Sequence, residues 1–174
     1  MFDKNTLIIR QEKPEDIPAI YRVNKAAFGR ESEAVLVNKL RGRGALILSM
    51  VAVETNDIVG HIAFVPISID GCPSGEGITL APLAVLPACQ RKGIGSRLVK
   101  AGLEECKRLG YRFVVLVGHP EYYPRFGFVQ AKSRGLICEY EAPDPAWMVA
   151  ELQESALTGK QGKVTFPPEF AEAV

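Results

Sequence analysis

The sequence predicts an α+β fold, a mixed α/β arrangement in which helices flank a central mixed sheet. The first observation is a strand, helix, strand pattern over residues 78–117, which is typical of two parallel strands joined by a right-handed crossover. The second is a pair of apolar segments, Leu46 to Glu54 and Ile58 to Ile69, joined by turn-forming residues 55–57. This pair indicates an antiparallel hairpin, so the predicted sheet contains both kinds of pairing.

The N-terminal part predicts one strand and two helices. Leu7 to Arg10 is a β-branched run, as in a short strand. Pro14 and the two acidic residues after it indicate a helix start, because proline fits the first turn and acids face the positive end of the helix dipole. We expect this helix to reach Phe28. A second helix is predicted from Glu31 to Leu40, and it ends before the glycines at positions 42 and 44.

The middle of the chain contains the predicted parallel pair. The composition of Cys72 to Gly77 indicates a loop, and the apolar run Ile78 to Leu86 indicates a strand buried on both faces. Ile94 to Leu109 follows helical spacing and ends before a glycine. Phe113 to Val117 is the second buried strand. The predicted apolar face of the helix comprises Leu98, Gly102, Cys106 and Leu109.

The C-terminal part is less regular. Leu136 to Tyr140 and Met148 to Leu152 resemble strands, and a polar, glycine-containing tail runs from there to Val174. The chain has 174 residues, of which 47% are hydrophobic, and this predicts one domain rather than two. We expect a core over residues 1–131 and a C-terminal extension over 132–174.

Charge and composition exclude several classes of protein. The 21 basic and 20 acidic residues show no long run of one sign, so neither nucleic acid nor an anionic membrane is an expected partner. The segment Met1 to Arg10 lacks the apolar core of a signal peptide, and no apolar run approaches the roughly 20 residues that span a bilayer. A cytoplasmic location follows as the expectation. The four cysteines lack CxxC spacing, so we expect reduced, mostly structural thiols and no metal site.

One segment between the buried strand and the amphipathic helix is typical of an anion site. The amides at a helix N-terminus carry about half a positive charge and hold a diphosphate without any catalytic side chain. Glycines let the phosphate approach, and flanking Arg and Lys add charge at the rim. A Walker motif is absent from the sequence, and the third glycine of the dinucleotide fingerprint is missing. The segment comprises Gln90, Arg91, Lys92, Gly93, Ile94, Gly95 and Ser96.

The run LAPLAVLPACQRKGIGSRLV, residues 80–99, resembles the GNAT acetyltransferases. Their signature is Gln or Arg, two residues, Gly, one residue, and Gly or Ala, and it matches at Gln90, Gly93 and Gly95. The chain is similar in particular to the YhbS-like branch, which also shows VGHIAF (59–64) and VVLVGHPEYYPRFGF (114–128). One departure is His119, where that branch usually has Asp.

The resemblance implies an acyl-CoA-dependent N-acetyltransferase with acetyl-CoA as donor and a small-molecule or protein amine as acceptor. It also implies a splayed sheet, whose two central parallel strands diverge around the pantetheine arm. The diphosphate would lie on residues 90–96. Main-chain groups of Leu83, Ala84 and Val85 would hydrogen-bond the pantetheine and polarise the thioester carbonyl, as an oxyanion donor does. A homodimer stays open.

Tyr123 matches the position where many enzymes of this family keep a tyrosine beside the cofactor sulfur. Its implied role is that of a general acid, which donates a proton as the thiolate leaves. The other aromatic residues nearby are expected to pack as an ordinary cluster. No residue stands out as the general base. The candidates are Glu33, His61, Glu76 and Glu121, and for His61 we favour a structural role.

The sequence leaves two alternatives open. The chain could be a non-catalytic acyl-CoA binding or sensing module, since a fold and a cofactor site do not prove turnover. It could also be a structural domain whose glycines only shape a turn. Neither the acceptor nor the acyl-chain preference is specified by the sequence.

Overall fold

The computed structural model describes residues 6–173, apart from the side chain of Ser74. The first half of the N-terminal segment used in the signal-peptide argument therefore lies outside the described residues, as does Val174. Three α-helices occur in the described chain: α1 (Ile17–Phe28), α2 (Ser32–Gly42) and α3 (Ile94–Arg108). Its nine strands are β1 (Leu7–Gln11), β2 (Leu48–Glu54), β3 (Asp57–Ile69), β4 (Cys72–Val85), β5 (Phe113–Val117), β6 (Val129–Gln130), β7 (Leu136–Cys138), β8 (Trp147–Glu151) and β9 (Gly162–Thr165).

The chain divides into two compact units, each built from separate stretches of sequence. As far as they are described, the first comprises Met1–Phe64, Ala81–Gly102 and Pro168–Val174. The second comprises Val65–Leu80 and Leu103–Pro167. Strands β3 and β4 and helix α3 contribute residues to both units. The predicted boundary between a core and an extension at residue 131 stays a prediction.

The first unit contains the predicted hairpin. β1 pairs antiparallel with β2, and β2 pairs antiparallel with β3. The turn between β2 and β3 has only two residues, Thr55 and Asn56, with φ of 49° and 66°. Two left-handed residues in a two-residue loop match the right-handed twist of a hairpin. The helices α1 and α2 pack together in this unit, and Ile20, Val37 and Val51 form a buried cluster there.

Two glycines in the first unit allow α3 to approach the strands closely. A Cβ on Gly102 of α3 would lie 2.6 Å from Cε2 of Phe64, and a Cβ on Gly60 would lie 2.9 Å from Cδ1 of Leu98. The predicted apolar face is thus correct at Leu98, Gly102 and Cys106, which are all buried. It is wrong at Leu109, which is 45% exposed because α3 ends at Arg108 and the chain turns at the left-handed Gly110.

The second unit contains the parallel pair. β4 pairs parallel with β5, from Gly77 opposite Phe113 to Thr79 opposite Val115. β5 and β6 both pair antiparallel with β8, while β9 pairs with the end of β3 and with β7. The predicted α+β class with a mixed sheet is therefore confirmed. At the last parallel pair, the Thr79 hydroxyl donates to the carbonyl oxygen of Val115 at 2.9 Å.

The loop predicted for residues 72–77 is wrong. Residues 72–77 are not a loop but the first part of β4, because the left-handed pair Asp70 and Gly71 forms the turn after β3. Composition rich in Gly, Pro and Ser did not reveal that the turn comes earlier. The polar tail contains β9 and a 3-10 turn, Pro168–Glu172, for which the sequence predicted no element. Glu169 and Glu172 of that turn form salt bridges with Arg43 and Lys39.

Three further findings concern membrane-spanning helices, metal ligands and the cysteine thiols. No helix among residues 6–173 is long and apolar enough to cross a membrane. Within the same range, no group of three or more His, Cys, Asp or Glu side chains is arranged to hold a metal ion. All four cysteines carry free thiols, and burial raises the pKa of the Cys106 thiol to about 12.

Candidate cofactor site and catalytic residues

The predicted phosphate segment connects the end of β4 to the start of α3. After Val85 the chain makes one 3-10 turn, Pro87–Cys89, and reaches Gln90. The side-chain amide of Gln90 donates to the carbonyl oxygen of Val85 at 3.1 Å. This bond links the segment back to the strand that precedes it. The Gln of the family signature therefore helps to hold the connection in this chain.

The backbone of this segment adopts two left-handed conformations. Arg91 has φ of 63° and Gly93 has φ of 83°. A Cβ on Gly93 would meet no atom within 4 Å, so glycine is favoured there by its conformation and not by crowding. Arg91 has no such freedom, and a strained non-glycine residue of this kind is common at functional sites. No pattern in the sequence indicated the conformation of Arg91.

The first backbone amides of α3 have no carbonyl acceptor within the helix itself. The hydrogen-bond ladder of α3 begins with the amide of Arg97, which donates to the carbonyl oxygen of Gly93 at 3.1 Å. The amides of Ile94 and Gly95 precede this bond in the chain. At these positions the helix has no preceding turn whose carbonyl oxygens could accept from them. The side chain of Ile94 is buried and anchors the first turn.

The charges at this end of α3 favour an anion. The first turn of α3 contains no acidic residue, although acids are the usual choice there because of the helix dipole. Arg91 and Lys92 are exposed beside it, and Arg97 already donates to the carbonyl oxygen of Leu7 at 3.2 Å. The dipole and two exposed cations thus leave a positive site that fits a diphosphate.

The residues predicted to bind the pantetheine arm lie at the end of β4. Ala84 is buried, while Leu83 and Val85 are half-buried. The carbonyl oxygen of Ala84 lies 3.3 Å from the position that a Cβ on Gly60 would take, and the amide of Leu86 donates to the carbonyl oxygen of Val59 at 2.9 Å. The roles predicted for Leu83, Ala84 and Val85 stay predictions.

A cavity of about 910 Å³ adjoins the phosphate segment. It lies in the first unit, between α1, the turn that follows β2 and the residues Leu86, Cys89 and Lys92. Its lining has both signs of charge, and within it Arg10 forms an ion pair with Asp16 at 2.6 Å. Side-chain hydrogen bonding to Arg10 lowers the pKa of Asp16, with backbone donation from Lys13 acting in the same direction.

Tyr123 lies in the second unit, at the start of a 3-10 turn, Tyr123–Phe126. It is 7% exposed, and its ring packs edge-on against Tyr122 and Phe128, with centroids 5.1 and 5.7 Å away. Burial raises the pKa of Tyr123 to about 12, and Tyr122 adds to the shift. The hydroxyl therefore keeps its proton throughout the physiological range, as a general acid must. The packing expected for the neighbouring aromatic residues is confirmed, and Tyr123 shares in it.

Three of the candidate bases are acids, of which Glu33 is buried, Glu76 half-buried and Glu121 exposed. Glu33 is paired with Arg30 at 2.5 Å. Glu76 is paired with Lys160 at 2.8 Å, and the hydrogen bond from Lys160 is the largest of the interactions that lower the pKa of Glu76. A lowered pKa makes a carboxylate a weaker base. No base is assigned from these contacts.

His61, the fourth candidate base, is fully buried in a polar network. Its Nδ1 lies 3.0 Å from Nδ2 of Asn24, and its Nε2 lies 2.8 Å from Oγ of Ser49. Because Nδ2 of Asn24 also donates to the carbonyl oxygen of Ile20, we assign Asn24 as donor to Nδ1, which puts the proton on Nε2. Burial lowers the pKa of His61 to about 3, and the charge of Arg41 adds to the shift. The structural role expected for His61 is confirmed.

The buried imidazole predicts a pH-dependent stability. The unfolded chain protonates His61 near pH 6.5, whereas the folded protein does so only near pH 3. As the pH falls through this window, His61 should therefore lower the free energy of unfolding, by up to about 1.4 kcal/mol per pH unit. In urea titrations, His61→Gln should be less stable than the parent at pH 7 and lose less stability on acidification. A slope for His61→Gln equal to that of the parent would contradict this assignment.

Comparison of the sequence with known proteins indicates its family. The model of the Acetyltransferase (GNAT) family matches residues 15–128. YhbS of Escherichia coli K12, described as an uncharacterized N-acetyltransferase, is 34% identical over 165 residues, covering 94% of this chain and 98% of the relative.

Two solved structures resemble the whole chain. The crystal structure of YhbS from Escherichia coli in complex with CoA matches with a TM-score of 0.93 at 33% identity, covering 98% of this chain and 95% of the other. A GNAT family acetyltransferase from Brucella melitensis, in complex with acetyl-CoA, matches with a TM-score of 0.81 at 34% identity, covering 95% of this chain and 98% of the other. The chain therefore belongs to the GNAT acetyltransferase family, whose members are acetyl-CoA-dependent N-acetyltransferases.

Proposed function

We propose that this protein transfers the acetyl group of acetyl-CoA to a primary amine by direct attack. The observation that supports the proposal is the geometry of residues 90–96. Two left-handed residues, two exposed cations and a helix start without an acidic residue are features that fit a diphosphate. The complexes of YhbS with CoA and of the Brucella protein with acetyl-CoA support the same cofactor.

In this proposal the main chain does most of the binding. The amides of Ile94 and Gly95 hold the diphosphate, Arg91 and Lys92 add positive charge, and Gln90 keeps the connection in place through Val85. The same segment includes Ser96 at the first turn of α3. Backbone groups of Leu83, Ala84 and Val85 bind the pantetheine arm. An amide directed at the thioester oxygen is typically worth about 2.7–4 kcal/mol in the transition state.

The chemistry needs one proton removed and one supplied. The neutral amine attacks the thioester carbon, a C–N bond forms and the C–S bond breaks, so nitrogen loses a proton and sulfur gains one. Tyr123 donates to the leaving sulfur in this proposal. With a pKa of about 12, the phenol is always protonated at neutral pH and is available for each turnover. Water or an unassigned group takes the proton of the amine.

The test is an assay for free CoA thiol with acetyl-CoA and a panel of amines that includes polyamines, amino acids and lysine peptides. We expect thiol release to depend on one class of amine and the acetylated amine to appear in equal amount by mass spectrometry. The proposal would be contradicted if no amine in the panel changed the rate of thiol release from the rate without amine. Such a result would indicate that acetyl-CoA is only hydrolysed.

A further inference from the structure

Gly118 lies between the end of β5 and the turn that begins with Tyr123. A Cβ built on Gly118 would lie 2.5 Å from Cε2 and 3.0 Å from Cδ2 of Tyr123, and 3.2 Å from Cδ1 of Leu116. Real Cβ atoms essentially never come within 3.0 Å of another heavy atom. The ring of Tyr123 therefore occupies space that any side chain at position 118 would fill.

Space, and not backbone conformation, requires glycine at this position. Gly118 is not among the residues with positive φ, so alanine fits the backbone without strain. The chain is also fixed on both sides of the contact. The amide of Gly118 donates to the carbonyl oxygen of Ala146 at 3.0 Å. The amide of Tyr123 donates to the carbonyl oxygen of His119 at 3.4 Å. The backbone cannot readily move to relieve a clash.

The ring of Tyr123 is equally constrained on its other sides. Tyr122 and Phe128 pack against it edge-on, and Phe126 lies 6.4 Å away between ring centroids. A methyl group on Gly118 would therefore have to tilt the phenol within a packed cluster. Such a tilt moves the hydroxyl, which lies at the far end of the ring, farther than it moves the ring centre.

We propose that Gly118 is a positioning residue for Tyr123, whose missing side chain determines where the phenol hydroxyl lies. The inference rests on the proposed function of Tyr123 as general acid. Catalysis is sensitive to such placement, since a misplacement of about 1 Å can cost about 100-fold in rate. Gly118 was not among the site residues predicted from the sequence, although its place between a buried strand and a candidate catalytic residue was the available signal.

The test compares Gly118→Ala with the parent in the thiol-release assay. We expect kcat to fall by about 10- to 100-fold, while the KM for acetyl-CoA stays within about twofold because the phosphate segment is unchanged. If Gly118 acts through the hydroxyl, adding Gly118→Ala to Tyr123→Phe should cost little more. Gly42→Ala is the matched control and should keep parental kinetics, because Gly42 has no positive φ and no atom lies within 4 Å of the position that its Cβ would take.

A stability cycle tests the contact without relying on catalysis. Gly118→Ala should lower the melting temperature in the parent and have little effect in a Tyr123→Ala background, where the ring is absent. Parental kcat for Gly118→Ala, a full additional loss in the Tyr123→Phe background, or an equal melting-temperature loss with and without the ring would overturn the inference. If Tyr123→Phe itself were fully active, the general-acid proposal would fail, and the stability cycle would still report whether Gly118 positions the ring.

Discussion

Replacing Tyr123 with phenylalanine is expected to lower kcat for acetyl transfer by about 100- to 10,000-fold, the range typical of general acid–base catalysis. The substitution removes one oxygen atom and keeps the ring that packs against Tyr122 and Phe128. The fold and the KM for acetyl-CoA should therefore change little. Steady-state kinetics in the thiol-release assay, together with a melting curve, measure the effect.

The pH dependence tests whether the phenol of Tyr123 stays protonated over the working range. The pKa of Tyr123 is about 12. At any pH under about 11, the parental rate should therefore not decrease through loss of the phenolic proton. It should instead rise with pH as the acceptor amine loses its proton. Tyr123→Phe should show the same profile at a lower rate.

Tyr122→Phe serves as the matched control for this prediction. Tyr122 is the adjacent residue in the same cluster, half-buried, with the guanidinium of Arg125 stacked 4.6 Å from its ring centroid. The ring and this cation–π contact survive the substitution, so activity should stay close to that of the parent. Equal losses for the two variants, or activity of Tyr123→Phe within twofold of the parent, would argue against a catalytic phenol.

The second large effect is expected from Gly93→Val. With φ of 83°, this position is strained for a β-branched residue by about 1–3 kcal/mol. We expect the turn to relax and carry the amides of Ile94 and Gly95 away from the diphosphate. The parent at an acetyl-CoA concentration 100 times its Kd should gain about 2.7 kcal/mol of stability. Most of that gain should be lost in the variant, as measured by the thermal shift.

Gly44→Val separates the loss of cofactor binding from the cost of strain. Gly44 is another left-handed glycine, with φ of 72° and open space around its missing Cβ, and it lies after α2. Its substitution should lower the melting temperature of the free protein in a similar way and leave the gain with acetyl-CoA unchanged. A normal acetyl-CoA shift in Gly93→Val would show that the cofactor does not depend on this turn.

The elements that carry the proposed cofactor site were predictable because their signals are local. Two glycines between an apolar strand and an amphipathic helix indicate a strand, turn, helix unit, and α3 and β5 begin at the predicted residues, Ile94 and Phe113. The hairpin of β2 and β3 was predictable for the same reason. Periodicity and turn residues act over a few positions, which a single sequence displays directly.

The remaining features depend on partners far away in sequence. β9 has only four residues and is defined by its pairing with β3 and β7. The structural role of His61 depends on Asn24, which is 37 residues away in the sequence, and on Ser49. Gly118 is explained by the ring that it accommodates, and such a contact appears only when side chains are placed in three dimensions.

The most direct test of the proposed diphosphate site is a two-dimensional amide NMR spectrum of the ¹⁵N-labelled protein, recorded as CoA is added. If the start of α3 holds the diphosphate, the largest shifts should fall on the amides of Gly93, Ile94 and Gly95, as expected when an amide gains a charged hydrogen-bond acceptor. Unchanged amides at these three positions, with CoA at saturation and shifts elsewhere in the chain, would contradict the proposed site.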